Sequence, residues 1–208
     1  MEREWIDVQN TYRIGNAQTI GTYHTQSNYF STRNDNFVLA VLADGTIDHI
    51  NGRRCAVLAV EACMREFSVQ VQKEDVFPLF DFLVRKIQKE IREYIYSGKV
   101  PSLSLSLLFL KDRELFSYTV GNNQVFLYVG RDYKPFRERS GQVSFGERMT
   151  AGMVSGGVCE ALQEKEMVSY LKKKEHPFGK AQKIVLGVKK KNRKGAGNAT
   201  VILVEDTL

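Results

Sequence analysis

The feature that most constrains this chain is an unbroken apolar run, residues 37–43 (FVLAVLA), which ends abruptly in Asp44-Gly45. A short run of large and β-branched apolar residues predicts a buried strand. A helical pattern begins at residue 51, so Asp44 lies at the tip of that strand, where the chain leaves it. A carboxylate there is costly unless water, a cationic group or a metal ion stabilises its charge. Asp44 is therefore either a candidate site residue or the start of an ordinary Asp-Gly turn.

Hydrophobic periodicity divides the rest of the chain into strands and helices. Alternating or short apolar runs predict strands over residues 4–8, 11–14, 17–23, 37–43, 103–110, 114–120, 124–129 and 199–205, with shorter strands between 131 and 155. Apolar residues spaced three and four apart predict helices over residues 51–69, 75–96, 158–163, 165–174 and 179–191. The order is thus strands, two helices, strands, helices and one final strand.

This order predicts the fold class. It lacks the regular alternation of strand and helix that is typical of a doubly wound parallel sheet. An α/β four-layer α-β-β-α sandwich, with two mainly antiparallel sheets flanked by helices, accounts for it better. The 208 residues contain no repeat or low-complexity linker, which predicts a single domain over residues 1–208. The predicted core comprises Phe37, Leu39, Val41, Leu58, Leu83, Ile87, Leu105, Leu107, Phe116, Tyr118, Val201 and Leu203.

The composition is that of a globular protein. Hydrophobic residues make up 43% of the chain, and no apolar run is long enough to cross a bilayer. The first ten residues lack the pattern of a signal peptide, so we expect a cytoplasmic protein that does not bind membranes. Cys55, Cys63 and Cys159 lack a paired metal-binding spacing, and we expect them to be reduced thiols in the core.

The net charge of +6 is concentrated late in the chain, at Lys172-Lys173-Lys174 and at residues 189–194 (KKKNRK). Such runs attract polyanions or form a solvated helix face, and the second interpretation is the commoner one. No aromatic residues are interleaved with these lysines, so nucleic-acid binding is not expected. His24, His49 and His176 show no zinc-binding spacing and are predicted to be surface residues.

Five segments, in order and with comparable spacing, resemble the metal-dependent protein phosphatases of the 2C (PPM) type. Residues 21–28 (GTYHTQSN) are similar to that family's Gly-x-Arg-x-x-Asn-Glu-Asp segment, and residues 41–52 to its Asp-Gly-x-Gly-Gly-His segment. Residues 102–121 are similar to the hairpin that ends in Gly-Asp-Ser-Arg. Residues 153–162 (MVSGGVCEAL) resemble the Ser-Asp-Gly segment, and residues 197–204 (GNATVILV) the final Asp-Asn-x-Thr strand. The resemblance implies the sandwich fold and phosphoserine/phosphothreonine hydrolysis.

The resemblance also implies two divalent cations, held by several carboxylates, that activate a bridging water and polarise the phosphate. The four acidic positions fall here on Asn28, Asp44, Gly156 and Gly197, so Asp44 alone keeps its carboxylate, next to the carbonyl-supplying Gly45. Other departures are Tyr23 at the position of the phosphate-binding Arg, Thr46-Ile47-Asp48 after Asp44-Gly45, and Gly121-Asn122-Asn123-Gln124 for Gly-Asp-Ser-Arg. The connection between Gly130 and Ser155 is also shorter than the family's flap region.

Two functional hypotheses follow from the resemblance and its departures. The first is a pseudophosphatase that binds a protein or phosphoprotein partner without hydrolysing it. The second is an active, atypical serine/threonine phosphatase that uses Asp44 either with relocated ligands or with one weakly bound Mn or Mg ion. Asp7, Asp35 and Asp48 are the candidates for relocated ligands.

The former metal cleft has two predicted contents. If the lysines of residues 189–194 lean over its rim, the cleft favours an anion such as phosphate. Otherwise it is a small water-filled depression in which Asp44 only caps a turn.

Overall fold

The structure, a computed structural model, describes residues 12–45, 51–67, 71–94, 102–191 and 197–206. Its strands are β1 (Tyr12–Thr19), β2 (Asn28–Asn34), β3 (Val38–Gly45), β4 (Leu103–Lys111), β5 (Glu114–Val120), β6 (Gln124–Val129), β7 (Asp132–Pro135), β8 (Ser140–Ser144), β9 (Met149–Val154) and β10 (Ala199–Asp206). Its helices are α1 (Gly52–Glu66), α2 (Val76–Tyr94), α3 (Gly156–Ala161), α4 (Glu164–Leu171) and α5 (Pro177–Lys190), with a short 3-10 turn at Lys73–Asp75.

The strands form two five-stranded sheets in which every pair is antiparallel. The first, sheet A, has the order β1-β10-β9-β6-β7, and the second, sheet B, has the order β2-β3-β4-β5-β8. The helices α1 and α2 cover the outer face of sheet B, and α3, α4 and α5 cover the outer face of sheet A. The predicted α-β-β-α sandwich of two antiparallel sheets is therefore confirmed.

The central strand β3 shows why residues 37–43 are apolar without interruption. Successive side chains of a strand point to opposite faces of its sheet. Val38, Ala40 and Leu42 contact the layer between the two sheets, whereas the alternate residues of β3 pack against α1 and α2. Both faces of β3 are buried, so neither face has a place for polar side chains.

The structure corrects several sequence-based predictions. Leu58 is half-buried, whereas the other eleven predicted core residues are buried. Residues 11–14 and 17–23 do not form two strands, because Gly15 lies inside the continuous strand β1. A Cβ atom on Gly15 would lie 2.0 Å from the Phe178 nitrogen, so this glycine permits close approach to α5 and does not mark a turn. The sequence analysis missed β2, a polar edge strand (NYFSTRN) without clear alternation, and the predicted strand over residues 4–8 lies outside the described residues.

The cysteines and histidines agree with the predictions in part. Cys55 and Cys63 are buried free thiols, but Cys159 is exposed, so its assignment to the core is wrong. His24 and His176 are exposed, and His176 caps α5 by accepting a hydrogen bond from the Phe178 N–H at 3.2 Å. No helix within the described ranges is long and apolar enough to cross a membrane.

The difference between Leu58 and Leu83 provides a test of the packing. Leu83 on α2 is fully buried, so Leu83→Ala should lower the free energy of unfolding by about 2–5 kcal/mol, through lost burial and the cavity it leaves. The matched control, Leu58→Ala, is also a Leu-to-Ala change on a helix but starts from a half-buried side chain, and it should cost clearly less. Urea unfolding of both variants measures the difference, and equal losses would contradict this account of the helical layer.

Candidate functional site

The candidate site lies at one end of the sandwich, between the two sheets. Asn28 on β2 and Asp44 on β3 are directly opposite one another in the register, and Ser104 on β4 is the next residue in the same row. Asp44 is two residues from Leu42, whose side chain faces sheet A, so Asp44 projects toward the same layer. The strand order of sheet B thus places Asn28 and Asp44 side by side.

The two glycine positions meet this pair from sheet A. The Gly156 N–H, at the start of α3, donates a hydrogen bond to the Asp44 carboxylate. A Cβ atom on Gly156 would lie 3.6 Å from Asp44 Oδ2, so a side chain at this position would begin beside that carboxylate. The next residue, Gly157, packs on the backbone of Gly197 and Asn198. Asn28, Asp44, Gly156 and Gly197 are therefore brought together, while their role in metal binding stays a prediction.

A buried hydrogen-bond network centred on Asn198 connects these elements; its members are called the Asn198 network below. Asn198 Oδ1 accepts hydrogen bonds from the backbone N–H and the hydroxyl of Ser27, both at 2.6 Å. The Asn198 carbonyl accepts from Asn28 Nδ2 at 3.3 Å and from the Ser155 hydroxyl at 3.1 Å. Asn28 Nδ2 also donates to Thr200 Oγ1 at 3.2 Å, and Thr200 N–H donates to Ser155 Oγ at 3.0 Å. Uncharged side chains thus join β2, α3 and β10.

All five members of the network are at most 2% exposed. Buried hydrogen bonds of this kind are costly to break, because each released partner is left without water. Asn198 Nδ2 also donates to the carbonyls of Ile20 and Thr25 at 2.9 and 3.0 Å, which fixes the loop that precedes β2. The network therefore holds the end of the sandwich where the resemblance places metal ions.

The sequence analysis did not single out these network residues except for Asn28. Three of them are nevertheless positions at which the chain keeps the family's residue: Ser155 of Ser-Asp-Gly, and Asn198 and Thr200 of Asp-Asn-x-Thr. The network could have been predicted from these residues, because they match the family in the same segments in which its acidic residues are replaced by glycine. Arg53 was also missed; it donates a hydrogen bond to the Asn28 carbonyl and lies over the Tyr29 ring, 4.7 Å from the centroid.

The charge of Asp44 is poorly stabilised in this setting. Burial raises the pKa of Asp44 to about 6, the hydrogen bond from Gly156 lowers the pKa, and the negative charge of Glu160 raises it. Asp44 makes no ion pair with any residue in the described part of the chain. The fold therefore keeps a partly buried carboxylate without a cationic partner.

The donor atoms at this site do not fit a two-cation centre. They are the Asp44 carboxylate and Asn28 Oδ1, which is buried and has no hydrogen-bond partner among the described residues; the Gly45 carbonyl is the third donor that the resemblance implies. Two divalent cations carry four positive charges, and one carboxylate with two neutral oxygens leaves most of their repulsion uncompensated. The described residues contain no group of three or more His, Cys, Asp or Glu arranged to hold a metal ion.

The relocated-ligand hypothesis is wrong for Asp35. This residue follows β2 at the end away from Asn28, about 20 Å along the strand at the usual rise per residue, and it pairs with Arg33 at 3.8 Å. Asp7 lies outside the described residues, and so does Asp48 with the rest of residues 46–50, so their predicted roles are untested.

The lysine run at residues 189–194 is described only in part. Lys191 donates a hydrogen bond to Glu166 at 2.6 Å, and residues 192–194 are outside the described ranges, so the prediction that these lysines lean over the cleft is untested.

The Asn198 network should be a main source of stability at this end of the fold. Asn198→Ala removes the acceptor of two hydrogen bonds and the donor of two more, and should lower the free energy of unfolding by about 2–4 kcal/mol. Asn122→Ala, at an exposed position, is the matched control and should change it little. Urea unfolding with and without EDTA measures both effects. A loss for Asn198→Ala below that of the control would contradict the role of the network.

Asp44 should make stability depend on pH. The pKa of Asp44 is raised in the folded state, so the folded protein binds this proton more tightly than the unfolded chain does. The resulting contribution to the free energy of unfolding is fully present below about pH 4 and is lost as the pH rises through about 6. Asp44→Asn should therefore increase the free energy of unfolding by about 1–3 kcal/mol near pH 7.5 and change it little near pH 4. Urea unfolding at both pH values in EDTA is the measurement, with Asp35→Asn as control. A gain that is independent of pH would contradict the electrostatic cause.

No protein-family model and no curated protein sequence matches the chain. Solved structures do match it. The serine/threonine phosphatase of S. agalactiae has a TM-score of 0.84 at 14% identity, over 94% of this chain and 99% of that chain. The serine/threonine phosphatase PstP of Mycobacterium tuberculosis has a TM-score of 0.82 at 12% identity, over 93% of this chain and 98% of that chain. The PPM Ser-Thr phosphatase MsPP of Mycobacterium smegmatis has a TM-score of 0.75 at 12% identity, over 92% of this chain and 97% of that chain.

Identities this low compare the fold and leave the chemistry open. Each similarity nevertheless extends over more than nine-tenths of both chains, so it concerns the whole sandwich and not a shared fragment. The chain therefore has the fold of the PPM-type, 2C-like serine/threonine phosphatases, as the five sequence segments predicted.

Proposed function

We propose that this chain is a pseudophosphatase: a 2C-like domain that binds a protein or phosphoprotein partner and does not hydrolyse phosphate. The observation that carries the proposal is what occupies the positions where the resemblance puts acidic ligands: Asn28 donates its side-chain hydrogen bonds to Asn198 and Thr200, and Gly156 and Gly197 have no side chain. Asp44 is the one carboxylate among the four acidic positions of the family. A regulatory or signalling role in the cytoplasm fits this proposal and remains part of the prediction.

The chemistry of phosphate hydrolysis supports the proposal. Metal ions in such sites lower the pKa of a bound water and neutralise charge on the phosphoryl oxygens. A solved PstP catalytic domain is in complex with two manganese ions. Without comparable positive charge, the ionised Asp44 would repel a phosphate dianion and would leave its developing charge unstabilised. The described residues of the site stabilise the fold, and none of them forms an ion pair with Asp44.

The second candidate is an atypical phosphatase with one weakly bound Mn or Mg ion. Two observations favour it. Asn28 Oδ1 is a buried oxygen without a hydrogen-bond partner in the described ranges, and Asp44 is a carboxylate whose raised pKa a nearby cation would lower. Together with the Gly45 carbonyl, they would offer three oxygens to a hard cation that keeps several of its waters.

A single substitution tests how far the site is from metal binding. A Cβ atom on Gly156 would make only ordinary contacts, so Gly156→Asp can add a second carboxylate beside Asp44 without displacing backbone. We expect no micromolar Mn binding by the natural chain, and at least about tenfold tighter binding by Gly156→Asp, because cation affinity rises with ligand charge. Gly156→Asn is the matched control, since it adds the same shape without the charge. Isothermal titration calorimetry with MnCl₂ measures all three proteins.

The same proteins should be assayed on a phosphoserine peptide with Mn or Mg. The proposal predicts no turnover by the natural chain. Micromolar Mn binding and turnover that are both lost in Asp44→Ala would overturn it and establish the second candidate.

A further inference from the structure

A second candidate site lies at the other end of sheet A, far from Asp44. It is a groove of ≈ 1220 Å³ between the sheet and the connection from α4 to α5. Strand β10 extends from Ala199, beside the Asn198 network, to Asp206 in this groove. At about 3.3 Å per residue, the two sites are therefore about 20 Å apart.

The floor of the groove is one row of residues across four strands. The register of sheet A places Arg13 opposite Glu205, Glu205 opposite Thr150, and Thr150 opposite Tyr128. Glu205 accepts hydrogen bonds from Lys180 Nζ at 2.6 Å and from Thr150 Oγ1 at 3.0 Å. The Lys180 and Glu205 side chains are 8% and 9% exposed, so this ion pair is a fixed part of the floor.

The lining is strongly basic. Its cationic residues are Arg13, Arg131, Arg148, Lys172, Lys173, Lys174 and Lys180, and its carboxylates are Glu175, Glu205 and Asp206. Seven cations against three carboxylates give the groove an excess of four positive charges, out of a net charge of +6 for the chain. The charge excess of this one concave surface is therefore large compared with the net charge of the whole chain.

The positive charge is available to a ligand. Each of the three carboxylates already has a cationic partner: Lys180 for Glu205, Lys183 for Glu175 and Arg113 for Asp206. The other six cationic residues of the lining are exposed and form no ion pair with any described residue. Arg148 has a φ of 61°, a left-handed conformation that is uncommon for a residue with a side chain.

We propose that this groove binds an anionic polypeptide segment, rich in carboxylates or phosphorylated, from a partner protein. Charge complementarity defines the ligand, because a groove with this excess of cations favours a chain of opposite charge. The lining also includes the partly exposed apolar residues Met149 and Val168, which suit the side chains of a peptide. Such a segment would lie along the row of the floor, with its acidic groups toward Lys172, Lys173 and Lys174.

The same features disfavour other polyanions. A flat bilayer surface does not reach the floor of a concave groove, and single-stranded nucleic acid uses exposed aromatic rings for base stacking. Tyr128 is buried in the floor and offers no such ring. The groove is also separate from Asp44, so the proposal holds whether or not the Asp44 site hydrolyses phosphate.

The proposal is tested by measuring the binding of short labelled peptides through their fluorescence anisotropy. The probes are a glutamate-rich peptide, the same sequence with phosphoserines, and a neutral version with Gln for Glu. We expect the two anionic peptides to bind and the neutral one not to bind, with affinity falling as salt is raised. The triple variant Lys172→Gln, Lys173→Gln, Lys174→Gln should weaken binding at least about tenfold. A preference between the two anionic peptides identifies whether carboxylate or phosphate is the natural group.

Two controls keep the result interpretable. Arg65→Gln, Arg85→Gln, Lys89→Gln removes three exposed cationic residues from α1 and α2 on the other side of the sandwich, and binding should stay within about twofold. Arg148→Gly removes a groove charge at a position whose backbone favours glycine, so it should weaken binding without loss of folding. Absence of peptide binding, equal loss in both triple variants, or stronger binding to RNA or anionic vesicles than to the peptides would overturn the proposal.

Discussion

The hydrogen bonds around Asn198 fix how the two sheets meet, and the geometry of the candidate site depends on them. The loop before β2, the strand β10 and the start of α3 belong to distant parts of the sequence, and each makes a hydrogen bond to this one residue or its neighbours. Because the members are buried, no water can replace a lost partner without disturbing the packing. The network thus positions Gly156 near Asp44.

This arrangement disfavours the ionised form of Asp44. A carboxylate at the end of a strand that is buried on both faces has little solvent, and the pKa of Asp44 is raised to about 6 by burial together with the Glu160 charge. In a site with cations, the same position would be favourable, because the metal charge outweighs desolvation. The chain therefore combines an uncharged network, in which Asn28 Oδ1 has no partner among the described residues, with one carboxylate whose environment suits positive charge.

Residue patterns predicted most of the fold, and the exceptions have physical causes. The long amphipathic helices and the strands buried on both faces were recognisable, since periodicity records which faces are buried. Strand β2 was missed because an edge strand with a polar sequence shows little alternation. Leu58 was placed in the core because helical spacing does not reveal how wide a face the neighbouring sheet covers. The Asn198 network involves pairs of residues about 170 positions apart, and such contacts are visible only once the sheets are packed.

The two ends of β10 have opposite electrostatic characters, which follow from what surrounds each end. Near Ala199 the strand meets uncharged amides and hydroxyls, with Asp44 as the nearby carboxylate. Near Glu205 it enters a basic groove in which the buried Lys180–Glu205 pair is compensated internally, so that the surrounding exposed cations set the local field. An anionic segment would meet repulsion at the first end and attraction at the second. The charges of the described residues therefore favour the groove over the surroundings of Asp44 as the place where such a partner binds.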